Sequence, residues 1–145
     1  MRRYDLIVVG AGIVGAACAA EAAGEGLSVA LVEPGPIGGG ATAAAMGHLV
    51  AMDDDPAELA LSAYSLRLWE RYAQLEEAEF SRCGTLWVAR NPRELATVPA
   101  KIDRLAQAGL HAEQLDATQL YRFEPALIEG LAGGMRCLLY TSDAA

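Results

Sequence analysis

Short apolar runs and helical patterns alternate at the start of the chain. Residues 6–9 and 28–32 are apolar runs rich in β-branched side chains, which predict strands buried on both faces. Residues 13–25 between them are rich in alanine and free of proline, and Gly24 and Gly26 supply a glycine stop, so this stretch predicts a helix. A strand, a helix and a strand within about 30 residues predict a βαβ unit, which places the chain in the α/β class.

The next part of the chain predicts a loop and a long helix. Residues 34–47 are dominated by Gly, Ala and Pro and predict the loop. Asp55 and Pro56 are a typical helix start, and we predict a helix from Pro56 to about Phe80. Its apolar face is predicted from residues at helical spacing, which are Leu61, Tyr64, Leu68, Tyr72 and Leu75. Its aromatic residues are interpreted as core residues, namely Tyr64, Trp69 and Tyr72.

Shorter elements follow. A strand is predicted over residues 84–89, and a second helix from about residue 92 to Gly109. Pro99 lies inside that helical pattern and is expected to kink it. Residues 116–123 predict a short helix that is stopped by a proline two positions later.

A glycine motif lies between the first strand and the first helix. Residues 10–15, Gly-Ala-Gly-Ile-Val-Gly, match G-x-G-x-x-G. Gly10 allows the tight turn, Gly12 lets the backbone approach a pyrophosphate, and Gly15 lets the helix pack closely on the strand. Glu33 ends the second strand, 23 residues after Gly10, where a carboxylate can accept both ribose hydroxyls and repel a 2′-phosphate. The motif predicts a dinucleotide site, disfavours NADP and leaves NAD and FAD open.

The composition is that of an acidic globular protein. Of the 145 residues 53% are hydrophobic, and the net charge is −8 with no basic stripe, so we expect no nucleic-acid partner. The three cysteines are far apart and include no C-x-x-C pair, so we expect no metal site and no disulfide framework. The start imitates a signal peptide, but Asp5 precedes the apolar run and glycines interrupt it, so we expect a cytoplasmic protein.

The residues after Glu33 resemble one flavoprotein family. Residues 38–48, Gly-Gly-Gly-Ala-Thr-Ala-Ala-Ala-Met-Gly-His, are similar to a loop of the D-amino acid oxidase and glycine oxidase superfamily of FAD-dependent oxidoreductases. In that superfamily small residues with a Ser or Thr run under the flavin, where a flat ring needs close backbone approach. The resemblance continues through parts of residues 115–134, which look like the start of the family's substrate domain, and covers most of residues 1–136.

The resemblance implies FAD as the cofactor and assigns residues to its two halves. The ADP half is implied for Gly10, Gly12, Ile13, Val14, Gly15 and Glu33. The flavin half is implied for Gly40, Ala41, Thr42, Gly47 and His48. Thr42 can also act as a helix cap, which is compatible with that role. His48 could face the flavin or touch the substrate, and its alternative is a purely structural role, so the catalytic residues stay open.

The resemblance also implies how the chain is divided. Residues 1–82 correspond to the first segment of a doubly wound, Rossmann-like FAD-binding domain, and residues 83–136 to the beginning of a substrate domain. Residues 137–145 resemble translated sequencing-adapter DNA, so we expect a foreign tail; a natural strand over residues 135–141 is the alternative. Family members are more than twice as long, and we therefore expect these 145 residues to be inactive by themselves.

For the complete parent the resemblance implies oxidation of the C–N bond of an amino acid or a secondary amine, with hydride transfer to the flavin N5. Residues 47–54 are most similar to bacterial D-amino-acid and D-hydroxyproline dehydrogenases. The expected partners are a small amine or amino-acid substrate and an electron acceptor, which in the parent could be membrane-peripheral or hetero-oligomeric. An NAD-dependent dehydrogenase and a non-catalytic dinucleotide-binding module are the alternative interpretations.

Overall fold

The computed structural model describes residues 3–137 and 140–142. Within them the chain forms eight strands and five α-helices in the order β1 (Leu6–Val9), α1 (Ile13–Gly24), β2 (Val29–Val32), β3 (His48–Leu49), α2 (Pro56–Trp69), β4 (Phe80–Ser81), β5 (Thr85–Ala89), α3 (Pro92–Leu95), α4 (Val98–Gln107), β6 (Ala112–Asp116), α5 (Ala117–Phe123), β7 (Gly133–Cys137) and β8 (Tyr140–Ser142). The predicted α/β class is confirmed. The described residues separate into two compact units, one up to Met46 and one from Gly47 onward.

The first unit is the βαβ unit that the sequence predicts. Strands β1 and β2 are parallel, with a register that runs from Leu6 opposite Val29 to Val9 opposite Val32. Hydrogen bonds from Ser28 fasten the beginnings of the two strands together, because both its backbone N–H and its hydroxyl donate to the carboxylate of Asp5. The predicted order of strand, helix and strand is therefore confirmed.

The prediction that these two strands are buried on both faces is wrong. Ile7 and Val9 are 61% and 80% exposed, and Leu31 and Val32 of β2 are also exposed. A parallel strand is buried on both faces only when layers cover both faces of its sheet. Helix α1 packs on one face, and among the described hydrophobic residues of this unit Ala11 alone is buried.

The second unit contains two antiparallel sheets and the main core. In one sheet β7 lies between β5 and β6, and in the other β8 lies between β3 and β4. Helices α2 and α4, one face of the first sheet and the segment before α2 contribute to a cluster of buried residues, which consists of Ala51, Leu59, Leu66, Val98, Leu105, Ala112, Met135 and Cys137. Helix α5 covers the other face of that sheet and contributes Leu120 to a smaller cluster with Leu115 and Leu131.

Helix α2 is shorter than predicted and packs through a different face. It ends at Trp69 and is followed by two 3₁₀ turns, Glu70–Tyr72 and Glu76–Ala78, and Phe80–Ser81 at the end of the predicted helix is a strand that pairs with β8. Its buried residues are Leu59, Ala63 and Leu66, whereas Leu61, Tyr64, Leu68 and Leu75 from the predicted face are exposed. Both sets have helical spacing, and only packing against the rest of the unit selects between them. The interpretation of Tyr64 as a core residue is therefore wrong.

The helix predicted from residue 92 to Gly109 is two helices. Helix α3 ends at Leu95, and α4 begins at Val98 with Pro99 in its first turn, where a proline has no hydrogen bond to lose. The predicted kink is thus a break between helices. The short helix after Asp116 is confirmed, and a capping box between Asp116 and Gln119 begins it.

Cys137 lies at the end of β7 and is fully buried. Burial raises the pKa of its thiol to about 11, so the thiol is neutral at physiological pH.

The predicted foreign tail, residues 137–145, lies partly outside the described residues and stays a prediction, as do the domain boundaries after residues 82 and 136. None of the helices in the described part of the chain is long and apolar enough to cross a bilayer.

Candidate cofactor site

The glycine-rich turn connects β1 to α1 through two positions that only glycine fits. Gly10 has a φ of +103°, a backbone angle that residues other than glycine rarely adopt. Its N–H donates to the Val32 carbonyl at 2.8 Å. A Cβ atom on Gly15 would lie 1.9 Å from the Gly10 carbonyl oxygen. Gly10 therefore allows the turn, and Gly15 allows α1 to begin in contact with the end of β1.

Gly12 is the N-cap of α1 and lies against Thr42. The Thr42 hydroxyl accepts the N–H of Ile13 at 3.0 Å, so a side chain 29 positions away caps the first turn of α1. A Cβ atom on Gly12 would lie 3.0 Å from the same hydroxyl oxygen. The loop is fastened a second time by the Gly38 N–H, which donates to the Ala11 carbonyl at 2.9 Å. The loop after β2 and the N-terminus of α1 thus form one small cradle.

Glu33 holds this cradle together from the end of β2. Its carboxylate accepts the N–H of Ala11 at 2.8 Å and the N–H of Gly35 at 3.0 Å. These two hydrogen bonds lower the pKa of the Glu33 carboxyl, with that from Ala11 the larger cause, so the side chain is ionised at neutral pH. A carboxylate offers about four acceptor positions, and two therefore stay open for hydroxyl groups.

The N-terminus of α1 presents backbone donors that have no acceptor among the described residues. In the part of the chain that the structure describes, the N–H groups of Gly12, Val14 and Gly15 donate to no acceptor. Together with the partial positive charge of the helix end, such groups bind phosphate without a basic side chain. The cradle therefore offers the kind of donors that the pyrophosphate of a dinucleotide needs, and the predicted role of Glu33 as a ribose acceptor stays a prediction.

The other predicted site residues are divided between the two units. Gly40 and Ala41 lie in the turns of the same loop as Thr42, and the side chains of Ile13 and Val14 are exposed at the beginning of α1. Gly47 and His48 belong to the second unit, where Gly47 has a φ of +66° and the exposed His48 pairs with Thr141. The first unit thus contains every predicted site residue except Gly47 and His48, and the assignment of all these residues to parts of the cofactor stays a prediction.

Backbone groups that the motif does not mark also contribute to the site. The N–H groups of Ala11 and Gly35 bind Glu33, and the Gly38 N–H binds Ala11. The sequence carries only a weak signal for them, which is the density of Gly and Pro in residues 34–40. Every residue except proline has a backbone N–H donor, so the residue types at these positions do not predict the contacts.

Solved structures share this fold over nearly the whole chain. Glycine oxidase from Geobacillus kaustophilus is 28% identical with a TM-score of 0.82, and the match covers 99% of this chain and 42% of that protein. Iminodiacetate oxidase from a Chelativorans species is 27% identical with a TM-score of 0.77, and the match covers 96% of this chain and 41% of that protein. L-α-Glycerophosphate oxidase from Mycoplasma pneumoniae, solved with FAD bound, is 22% identical with a TM-score of 0.81, and the match covers 99% of this chain and 40% of that protein. At that identity the likeness shows the fold alone. The chain spans about two fifths of the length of these solved relatives.

A comparison with curated proteins finds no match. The model of a family described as FAD dependent oxidoreductase matches residues 5–145. The resemblance to the D-amino acid oxidase and glycine oxidase superfamily is thereby confirmed, and of the two cofactors that the glycine motif left open, FAD is the one that this family uses. Since the match includes nearly every residue, the chain belongs to the family of FAD-dependent oxidoreductases.

Proposed function

We propose that this chain supplies the beginning of an enzyme that oxidises the C–N bond of an amino acid or a secondary amine. The observation that carries the proposal is the cradle formed by the N-terminus of α1 and the loop after β2, with its open backbone donors and the Glu33 carboxylate beside them. Support for amine chemistry comes from two relatives above 25% identity, which are named glycine oxidase and iminodiacetate oxidase. The finer resemblance to D-amino-acid and D-hydroxyproline dehydrogenases stays a prediction.

The residues of the cradle bind and orient the cofactor. The N–H groups of Gly12, Val14 and Gly15 hold the pyrophosphate, Glu33 accepts the ribose hydroxyls, and the small residues around Thr42 give close access to the rest of the cofactor. When bound, FAD would supply the redox chemistry as the hydride acceptor for C–N oxidation, and the imine product would be hydrolysed by water. Thr42 and Glu33 keep the loop and the helix end together, so the donors are in place before the cofactor arrives.

Replacing Glu33 by glutamine tests the role of the carboxylate. The N–H groups of Ala11 and Gly35 bind different oxygens of the Glu33 carboxylate, so the amide places an NH2 donor against one of them and leaves fewer acceptor positions for the ribose hydroxyls. We expect the Kd for FAD of the complete apoprotein to rise by about ten- to a hundredfold, measured by flavin fluorescence titration. Glu25→Gln, an exposed change of the same charge at the end of α1, is the control. Equal affinities in the two variants would show that Glu33 is only a strand-end residue.

The reaction class is tested with the complete FAD-loaded protein and an artificial electron acceptor. We expect glycine, iminodiacetate or one enantiomer of an amino acid to bleach the flavin absorbance and to reduce the acceptor, with the other enantiomer as the stereochemical control. Reduction by glycerol 3-phosphate and by none of the amines would replace C–N oxidation with C–O oxidation. Residues 1–145 alone, assayed in the same way, are expected to give no turnover, because the apolar face with Ile7 and Val9 is uncovered.

A further inference from the structure

Two cations of α4 hold the end of the segment that precedes α2 in the second unit. The Lys101 ammonium binds the Asp54 carboxylate, and Arg104 Nη1 donates to the Asp54 carbonyl oxygen at 2.9 Å and to its Oδ1 at 3.2 Å. Hydrogen bonding from Lys101 is the main cause that lowers the pKa of the Asp54 carboxyl, so this group is ionised at neutral pH. The direct contacts of both cations with the segment thus go to Asp54.

The neighbouring Asp53 has one carboxylate oxygen that is enclosed by the protein. Among the described residues nothing donates a hydrogen bond to this atom, Oδ2. An enclosed acceptor without a donor destabilises the folded state, and a carboxylate oxygen does so more than a neutral one. The fold therefore needs a donor at this point that the described side chains and backbone groups do not supply.

A small cavity lies beside the same aspartates. It measures about 10 Å³, and its lining includes Asp53, Asp54, Lys101, Arg104, Leu105 and Met135. That volume is about the minimum for a single water molecule, and it leaves no room for a larger ligand. One wall of the cavity is thus polar and charged, and the other is apolar.

The polar wall offers a water molecule both acceptors and donors. An ammonium carries three N–H groups and a guanidinium five, and the contacts of Lys101 and Arg104 with Asp54 use one nitrogen of each. Further N–H groups therefore stay available to a water oxygen. Two aspartates face two cations here, so no excess of negative charge favours a metal ion. Among the described residues no three potential metal-ligating side chains are grouped together.

We propose that this cavity is a binding site for one internal water molecule, which donates to Asp53 Oδ2 and accepts an N–H of Lys101 or Arg104. The water links Asp53 to α4, as the direct contacts link Asp54, so both aspartates are attached to the same helix. A bridging water is enthalpically nearly as good as a direct hydrogen bond. The site lies wholly within the second unit and is independent of the cofactor and of the proposed function.

Replacing Asp53 by leucine in the complete protein tests the site. Leucine is similar to aspartate in shape but has no acceptor, so the substitution removes the link through the water. We expect amide hydrogen exchange over residues 51–55 to become about three- to tenfold faster. Asp103→Leu is the matched control, because it makes the same replacement at an exposed position of α4. Exchange over residues 51–55 should be unchanged in the control.

The sign of the change separates a bridged carboxylate from an unpaired one. If Oδ2 had no donor, leucine would remove an unfavourable group and exchange would become slower. Slower or unchanged exchange in Asp53→Leu would therefore overturn the proposal. Equal acceleration in the control would also overturn it, since the effect would then not depend on Asp53.

A crystal structure of the unsubstituted complete protein is the second measurement, and it does not depend on whether the leucine variant folds. We expect an ordered water molecule at about 2.5–3.0 Å from Asp53 Oδ2, with a nitrogen of Lys101 or Arg104 as another partner. A metal ion at about 2.0–2.6 Å from that oxygen, or a protein donor in the same place, would overturn the proposal. So would a cavity without an ordered water.

Discussion

Replacing Gly15 by alanine is expected to abolish FAD binding and to lower the free energy of unfolding by about 2–3 kcal/mol. The added Cβ would lie 1.9 Å from the Gly10 carbonyl oxygen, a backbone atom that cannot move aside without separating α1 from β1. Alanine gains about 1 kcal/mol over glycine in helix propensity, which is too little to offset that overlap. Flavin content and thermal unfolding of the purified complete protein measure the two effects.

Gly24→Ala is the matched control on the same helix. A Cβ atom there would meet no atom within 4 Å, so only the helix propensity changes. We expect normal flavin content and unchanged or slightly raised stability. A Gly15→Ala protein that resembles the Gly24→Ala protein in both measurements would show that α1 does not begin in contact with β1.

Replacing Gly12 by valine is expected to raise the Kd for FAD by about a hundredfold or more. Its Cβ would press on the Thr42 hydroxyl at 3.0 Å, and its two methyl groups would cover the open N–H groups at the beginning of α1. Loss of two hydrogen bonds to a charged pyrophosphate accounts for an effect of that size. Flavin fluorescence titration of the complete apoprotein measures it, and full flavin occupancy of this variant would contradict the site assignment.

A second substitution separates the two causes of that loss. Thr42→Ala removes the group that the valine collides with, but it leaves the valine methyl groups over the backbone donors. We therefore expect the double variant Gly12→Val with Thr42→Ala to bind FAD as poorly as Gly12→Val. Recovery of binding in the double variant would mean that the collision with Thr42, and not the blocked donors, causes the loss.

The sequence by itself determined the elements whose signals are local. The apolar runs at residues 6–9 and 28–32 gave the two parallel strands, the glycine motif gave the turn between β1 and α1, and Asp116 gave the start of α5. A positive φ, a helix cap and a tight turn each restrict the residue type at one position, so they can be recognised without a structure. For the same reason the glycine and carboxylate positions of the predicted cofactor site could be proposed from the sequence, and the structure shows the tight turn and the hydrogen bonds that these residues make.

Where the local sequence is compatible with more than one structure, only the tertiary packing decided which structure forms. Helix α2 carries two stripes at helical spacing, and the core selects the one with Leu59 and Leu66 while the one with Leu61 is exposed. The helix ends at Trp69, although neither glycine nor proline follows it closely, and residues 80–81 of the region predicted as helix pair with β8 instead. The cap that Thr42 places on α1 and the contact of Arg104 with Asp54 join residues 29 and 50 positions apart. Such contacts follow from how the whole chain packs, which the local pattern of polar and apolar residues does not encode.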